Sequence, residues 1–117
     1  MIELLEYITP EGKTPFKDWF KKLDNRAKAH ITLALTKVEL GNFSNTKGVG
    51  SGVHECKIHF GPGYRAYFGK DGEKIVILLH GGSKKKQQKD IETAQELWKE
   101  YKKRKKSGET PRTKSWH

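Results

Sequence analysis

Cationic side chains recur along the strands that we predict in the second half of the chain. Lys57 and His59 precede the turn Gly61-Pro62-Gly63, and Arg65 follows it. A three-residue loop at this turn would pair His59 with Arg65 and Lys57 with Tyr67 across an antiparallel hairpin. Because alternate residues of a strand point to the same face, these four side chains are predicted to share one face of a sheet.

Opposed cations of this kind predict a site for phosphate. Directly opposed Cβ atoms lie about 4.5–5.5 Å apart, and positive groups at that spacing repel one another unless an anion lies among them. A two-residue turn at Asp71-Gly72 would bring His80 diagonal to Arg65. The segment 83–86 follows, and its backbone N–H groups and Lys84 are placed to close over the same anion. The expected chemistry is phosphate chemistry driven by cations.

Other catalytic chemistries find little support in the sequence. His54, Cys56 and His59 lack the paired spacing of metal ligands, and strand alternation puts Cys56 on the face opposite His59. Paired carboxylates of the glycosidase kind and a Ser-His-Asp arrangement are also absent. We predict Cys56 to be a small buried hydrophobic residue, and we predict no metal and no cofactor. An inert, solvated charged surface is the alternative to a phosphate site.

The first half of the chain predicts the elements that support this face. Residues 2–8 are typical of a short strand. Thr14-Pro15 begins one helix, and Asp24-Asn25 caps a second helix that ends before Gly41. The apolar stripes of the two helices are Phe16, Trp19, Phe20 and Leu23, and Ala27, Ile31, Ala34, Leu35 and Val38.

Three strands and a last helix follow a loop rich in Gly, Ser and Asn. The strands are predicted at 53–60, 64–69 and 74–80 as an antiparallel meander. Its apolar face is predicted to carry Cys56, Ile58, Phe60, Tyr64, Ala66, Phe68, Ile75, Ile77 and Leu79. The last helix aligns Ile91, Ala94, Leu97, Trp98 and Tyr101. The order β-α-α-β-β-β-α predicts an α+β domain with its helices packed on one face of the sheet.

Positive charge is concentrated towards the end of the chain. The 117 residues carry a formal net charge of +10, and residues 102–117 hold seven basic residues against one acidic residue, Glu109. We therefore predict a domain at 1–103 and a basic, disordered tail at 104–117. The charge balance favours a polyanionic partner, which is RNA, DNA or an acidic protein.

Cellular location is predicted from what the chain lacks. It has no apolar run of the about 20 residues that a membrane span needs. The first residues include Glu3 and Glu6, where a signal peptide would be basic, and there is a single cysteine. We expect a cytoplasmic protein that does not contact a membrane.

Two segments of the sequence resemble a known family. Residues 54–68 contain Gly61-Pro62-Gly63-Tyr64-Arg65, and residues 75–91 contain Gly81-Gly82-Ser83-Lys84. Both segments are similar to the RelE/HigB-like toxins, and most of all to the addiction-module killer proteins of the RelE/ParE superfamily. The similarity spans about residues 1–103 and includes the predicted order of elements.

The resemblance implies a type II toxin that is silenced by a co-encoded antitoxin, here expected to be of the helix-turn-helix type. RelE-like toxins enter the ribosomal A site and cleave the messenger RNA without a metal ion. A 2′-hydroxyl attacks the adjacent phosphate and leaves a 2′,3′-cyclic phosphate. Arg65 matches the family arginine that stabilises charge on the reacting phosphate. Lys57 matches the basic second strand, and Lys84 matches the basic position after the last strand.

The other site residues are assigned around these three. His59 is the best-placed group for proton transfer, because the pKa of a free imidazole is near neutral. The predicted RNA contacts are Tyr67, His80, Lys85, Lys86 and Lys89.

Two other functions stay open from the sequence. ParE-like members of the superfamily use the same fold to poison DNA gyrase, cut no RNA and need no cationic face. A non-catalytic nucleic-acid-binding module is the other alternative, in which the basic tail holds RNA and Tyr64 and Tyr67 stack on its bases.

Overall fold

The computed structural model describes residues 1–117 as a mixed α+β fold. The helices are α1 (Pro15–Lys21), α2 (Asn25–Glu39) and α3 (Gln87–Lys106), and a 3₁₀ turn at Lys84–Lys86 leads into α3. The strands are β1 (Glu3–Tyr7), β2 (Thr46–Gly48), β3 (Val53–Ile58), β4 (Tyr64–Asp71), β5 (Ile75–Ser83) and β6 (Thr113–Ser115). They form one sheet in the order β2-β3-β4-β5-β1-β6, with only β1 and β5 parallel. None of the helices combines the length and apolar character of a membrane span.

Helices cover both faces of the sheet, which corrects the prediction that they pack on one face. Phe16 of α1 and Ile31 of α2 belong to one core, together with Cys56 and Phe68 of the sheet. The second core lies beneath α3 and consists of Tyr7, Val53, Tyr67, Ile77, Leu79, Ala94, Trp98 and Tyr101. A strand that is buried on both faces has an uninterrupted apolar run, and residues 75–79 of the central strand β5 are such a run.

The β3–β4 hairpin differs in register from the prediction. β3 ends at Ile58, so residues 59–63 form the connecting loop and Lys57 lies opposite Arg65. His59, which we predicted on the strand, lies in this loop. A slip of two residues leaves the remaining strand side chains on their predicted faces, so the cationic face of the hairpin is retained.

The β4–β5 hairpin changes the face of several apolar side chains. Its turn consists of residues 72–74, one residue more than predicted. An odd slip exchanges the two faces of a strand, and the side chains that consequently face α3 are Ile75, Ile77 and Leu79. A β-bulge between Tyr67 and Phe68 then brings Tyr67 opposite His80.

The C-terminal strap, residues 107–117, is built into the fold, in contrast to the disordered tail that we expected. β6 pairs with β1 at the edge of the sheet. Trp116 is 6% exposed, and its ring centroid lies 5.4 Å from that of Phe16 and 4.9 Å from that of Phe20. Lys17 Nζ lies 4.7 Å from the same ring. The strap therefore covers a sheet edge and completes the core beneath α1.

Asp71 joins the end of β4 to the C-terminal part of α3. Its Oδ2 accepts hydrogen bonds from Lys105 Nζ and from Tyr101 Oη, both at 2.5 Å. The bond from Lys105, followed by the bond from Tyr101, holds the pKa of Asp71 below its usual value. The ionised form of this carboxyl therefore stabilises the folded state.

Asp71→Asn is expected to lower the melting temperature at neutral pH and to leave it unchanged in acid. A depressed folded-state pKa stabilises the protein above the unfolded pKa, about 4, and the contribution is lost as the pH falls through the folded-state pKa. Thermal melts of both proteins across this pH range measure the difference. Glu73→Gln removes an exposed carboxyl from the same turn and is the matched control. If the melting temperatures of the wild type and Asp71→Asn differ as much in acid as at neutral pH, the ionised Asp71 carboxyl does not stabilise the fold as argued.

Candidate active site

A cationic cavity, the hairpin cleft, lies at the end of the β3–β4 hairpin. Its volume is about 460 Å³, and no acidic side chain lines it. Loop residues 59–63 form one side of it. The charged or titratable side chains that line it are Lys57, His59, Arg65 and Lys84. The fold therefore brings together the four residues that we predicted to carry the chemistry.

Arg65 lies deep in the hairpin cleft and is held from two sides. It is 5% exposed, and Lys57 lies directly opposite it on β3. Arg65 Nη1 donates a hydrogen bond of 3.2 Å to the carbonyl oxygen of Gly63. The same oxygen accepts the backbone N–H of Lys84 at 2.9 Å. One carbonyl oxygen thus fixes the position of the guanidinium relative to the start of the 3₁₀ turn.

Glu55 is a buried carboxylate beside the cations, and the sequence did not single it out as a site residue. Its side chain is 1% exposed, and its Oε1 lies 3.6 Å from Arg65 Nε. Gln87 Nε2 donates a hydrogen bond of 3.3 Å to Oε1, and Lys47 Nζ lies 3.8 Å from Oε2. Burying a charge is costly unless it is paired, so Glu55 and Arg65 each make the burial of the other tolerable. Strand alternation, which puts Glu55 on the face of Lys57, was the available signal.

Three of the other predicted site residues, His80, Lys85 and Lys86, line a second cavity, the turn cavity, on the other side of the 3₁₀ turn. It has a volume of about 310 Å³. Its side-chain lining is Trp19, His80, Ser83, Lys85, Lys86 and Asp90. His80 Nε2 lies 3.1 Å from Asp90 Oδ1, within hydrogen-bonding distance. Lys84 therefore faces the hairpin cleft, whereas Lys85 and Lys86 face the turn cavity, and the cationic surface continues from one cavity to the other.

Gly82 allows the approach of α3 to the turn cavity. A Cβ atom at this position would lie 1.9 Å from Asp90 Oδ2. Any larger residue would displace the carboxylate that pairs with His80. The Gly81-Gly82 pair, which in the sequence was only part of a family motif, thus has a packing reason.

Tyr67 and Lys89 line neither of the two cavities. Tyr67 is fully buried beneath α3, opposite Glu55 and His80 in neighbouring strands. Burial also raises the pKa of its hydroxyl well above the usual value. A ring with no exposed face cannot stack on a base, so the structure differs here from our prediction. Lys89 is an exposed residue in the first turn of α3 and lines neither cavity.

Cys56 is 1% exposed in the core beneath α1 and α2, which confirms the prediction of a small buried hydrophobic residue. Burial raises the pKa of its thiol to about 11, so the nucleophilic thiolate is disfavoured at neutral pH. No three His, Cys, Asp or Glu side chains of the chain are grouped so as to hold a metal ion.

The chain belongs to the Gp49-like family of phage-derived proteins. The family described as "Phage derived protein Gp49-like (DUF891)" matches residues 18–99, which include every residue that lines the hairpin cleft or the turn cavity. This family is associated with toxin–antitoxin systems. An uncharacterized protein of Haemophilus influenzae is 43% identical to the chain over 83 residues, which is 70% of this chain and 84% of that protein.

Proposed function

We propose that this protein is the toxin of a toxin–antitoxin system and cleaves messenger RNA in the ribosomal A site without a metal ion. The observation that carries the proposal is the hairpin cleft, in which Lys57, Arg65 and Lys84 line one cavity with His59 and with no acid. Two cations on the hairpin and a third at the start of the 3₁₀ turn are suited to a phosphodiester. Membership of a family associated with toxin–antitoxin systems supports the same function.

In the proposed reaction, a phosphodiester of the message binds in the hairpin cleft. The 2′-hydroxyl attacks the adjacent phosphorus, and the bond from phosphorus to the 5′ oxygen breaks. The 2′ oxygen loses a proton and the 5′ oxygen gains one, which leaves a 2′,3′-cyclic phosphate and a 5′-hydroxyl. We assign one of these proton transfers to His59, whose exposed imidazole lines the cleft.

Arg65 is proposed to stabilise the additional negative charge on the phosphate in the transition state. A guanidinium presents several N–H donors in a planar fork, which suits neighbouring phosphate oxygens. Its Nη1 is fixed by Gly63 and its Nε faces Glu55, so the group is oriented before the substrate arrives. Lys57 and Lys84 are proposed to hold the same phosphate from opposite sides of the guanidinium.

The turn cavity is proposed to receive a neighbouring part of the RNA. Lys85 and Lys86 supply charge for backbone phosphates there, and the His80–Asp90 pair supplies polar contacts. Lys89 is proposed to contribute charge at longer range. We also propose a cognate antitoxin that silences the toxin, consistent with the family association.

Induced expression, followed by mapping of the 5′ ends of cellular transcripts, tests this function. We expect new ends inside translated messages, in phase with codons, together with growth arrest. Growth arrest with intact messages and broken chromosomal DNA would favour the poisoning of gyrase. RNA binding that leaves translated messages intact would favour a non-catalytic binding module.

A further inference from the structure

A groove between α2 and the end of β3 opens beside the hairpin cleft. It has a volume of about 190 Å³ and shares Lys57, Ile58 and His59 with the cleft. Its other side chains come from helix α2 and from the segment before β2. When the phosphate of a ligand lies in the cleft, the chemical group next to that phosphate can therefore lie in this groove.

The lining of the groove combines an apolar surface with hydrogen-bonding groups. Leu33, Ala34 and Ile58 supply the apolar surface, while Lys37 and Asn45 supply polar groups. Leu33 is 61% exposed, so its side chain is accessible to a ligand in the groove. An apolar surface edged by donors and acceptors is suited to a planar heterocycle with polar edges.

An aromatic stack joins the groove to the cleft. The imidazole of His30, which lines the groove, lies on the ring of Phe60, which lines the cleft. Their centroids are 4.0 Å apart and their planes differ by 14°. The guanidinium carbon of Arg26 lies 5.6 Å from the centre of the Phe60 ring. The stack fixes the orientation of the His30 imidazole, which is exposed on α2. A ring held in this way offers a surface on which another aromatic ring can stack.

We propose that this groove binds the base of a nucleotide adjoining the scissile phosphate, with His30 and Leu33 as the contacts that hold it. The inference rests on the proposed function, because it takes the phosphate in the hairpin cleft as its starting point. It adds a site for base recognition that lies on α2, away from the cations that hold the backbone. His30 and Leu33 therefore influence which sequence is cut, whereas Lys57 and Arg65 influence whether it is cut.

Abasic RNA tests the proposal. Messages are made with one abasic residue moved through the A-site codon, and with 2′-O-methyl groups that block cleavage. Binding of the full chain is then measured with programmed ribosomes and with free RNA. Stacking on a base contributes about 1–3 kcal/mol, so loss of one particular base is expected to weaken binding by about fivefold or more. The double variant His30→Ala/Leu33→Gln is expected to show the same weakening with intact RNA and no further loss with abasic RNA.

Leu40→Gln is the matched control, since Leu40 is also an exposed leucine, at the end of α2, and lines no cavity of the hairpin. This variant is expected to respond to the abasic residue as the wild type does. The dependence of binding on salt is expected to stay the same for His30→Ala/Leu33→Gln and to become shallower for Lys57→Ala, because only the lysine contacts phosphate.

The outcomes separate this proposal from the proposed function. One outcome is that the wild type cleaves messages, while each abasic residue weakens RNA binding by the groove variants as much as it weakens binding by the wild type. That outcome would overturn the base site but not the nuclease. Coupling between the groove variants and one abasic position, without cleavage of any unmodified message, would support the base site and overturn the nuclease. Weakened binding of a protein antitoxin by the groove variants, with unchanged RNA binding, would make the groove a protein interface and overturn the proposal.

Discussion

Replacing Arg65 with alanine is expected to abolish growth arrest and to lower the cleavage rate by about a hundredfold to a thousandfold, the range seen when one preorganised donor to a developing anion is removed. The guanidinium lies deep in the hairpin cleft and is oriented by the carbonyl of Gly63. Lys57 and Lys84 would still bind the phosphate. The loss is therefore expected mainly in the rate of the chemical step, measured with saturating ribosomes and a fixed message.

Arg65→Ala also leaves the buried Glu55 carboxylate without its nearest cation. That change is expected to cost about 1–3 kcal/mol of folding free energy. The double variant Arg65→Ala/Glu55→Gln removes the buried negative charge and is expected to recover most of the stability but none of the activity. A double variant that folds stably and still cleaves at the wild-type rate would rule out the role of Arg65.

Trp116→Ala is expected to lower the free energy of unfolding by about 3–5 kcal/mol, as for other large aromatic side chains removed from a core. The indole is buried against Phe16 and Phe20, and its loss would also loosen the pairing of β6 with β1. Denaturant unfolding of the full chain measures the effect. Thr110→Ala, an exposed change within the same strap, is expected to be nearly neutral. Equal stability of the two variants would show that the strap is not part of the folded core.

The main elements could be predicted because their signals are local. Apolar spacing, the Pro15 and Asp24 helix starts and the alternation of β3 depend only on neighbouring residues, and the structure confirms those elements to within a few positions. The register of the two hairpins depends on loop length, and glycine-rich turns suggest a length without fixing it. One additional residue in the β4–β5 turn was enough to exchange the faces of β5.

The basic residues 104–117, which we predicted to be disordered, show the limit of composition as a guide. The basic residues after Tyr101 are typical of a solvated tail, yet two of them make specific contacts with distant parts of the chain. Arg104 Nη1 donates to Tyr7 Oη at 3.0 Å and to the carbonyl oxygen of Ile8 at 3.2 Å, and Lys105 binds Asp71. These partners lie more than 30 residues away in sequence, so no local pattern reveals them.

Only part of the candidate site could be predicted, again because some of its contacts come from residues that are distant in sequence. Lys57 and Arg65 belong to one hairpin, and their shared face follows from strand alternation because the register differs from the prediction by an even number of residues. Tyr67 lies on that face as well, but α3 covers it, and the packing of a helix from the far end of the sequence is not visible in the strand pattern. The burial of Glu55 has the same origin, since Gln87 at the start of α3 lies over it.

The most direct test of the central claim is the chemistry of the ends produced in a reconstituted reaction. Purified protein, ribosomes and a defined message are incubated together, and the fragments are analysed by mass spectrometry. We predict an upstream fragment with a 2′,3′-cyclic phosphate and a downstream fragment with a 5′-hydroxyl, both absent with Arg65→Ala/Glu55→Gln. An intact message, or a cut that leaves a 3′-hydroxyl and a 5′-phosphate, would contradict the hairpin cleft as the site of this reaction.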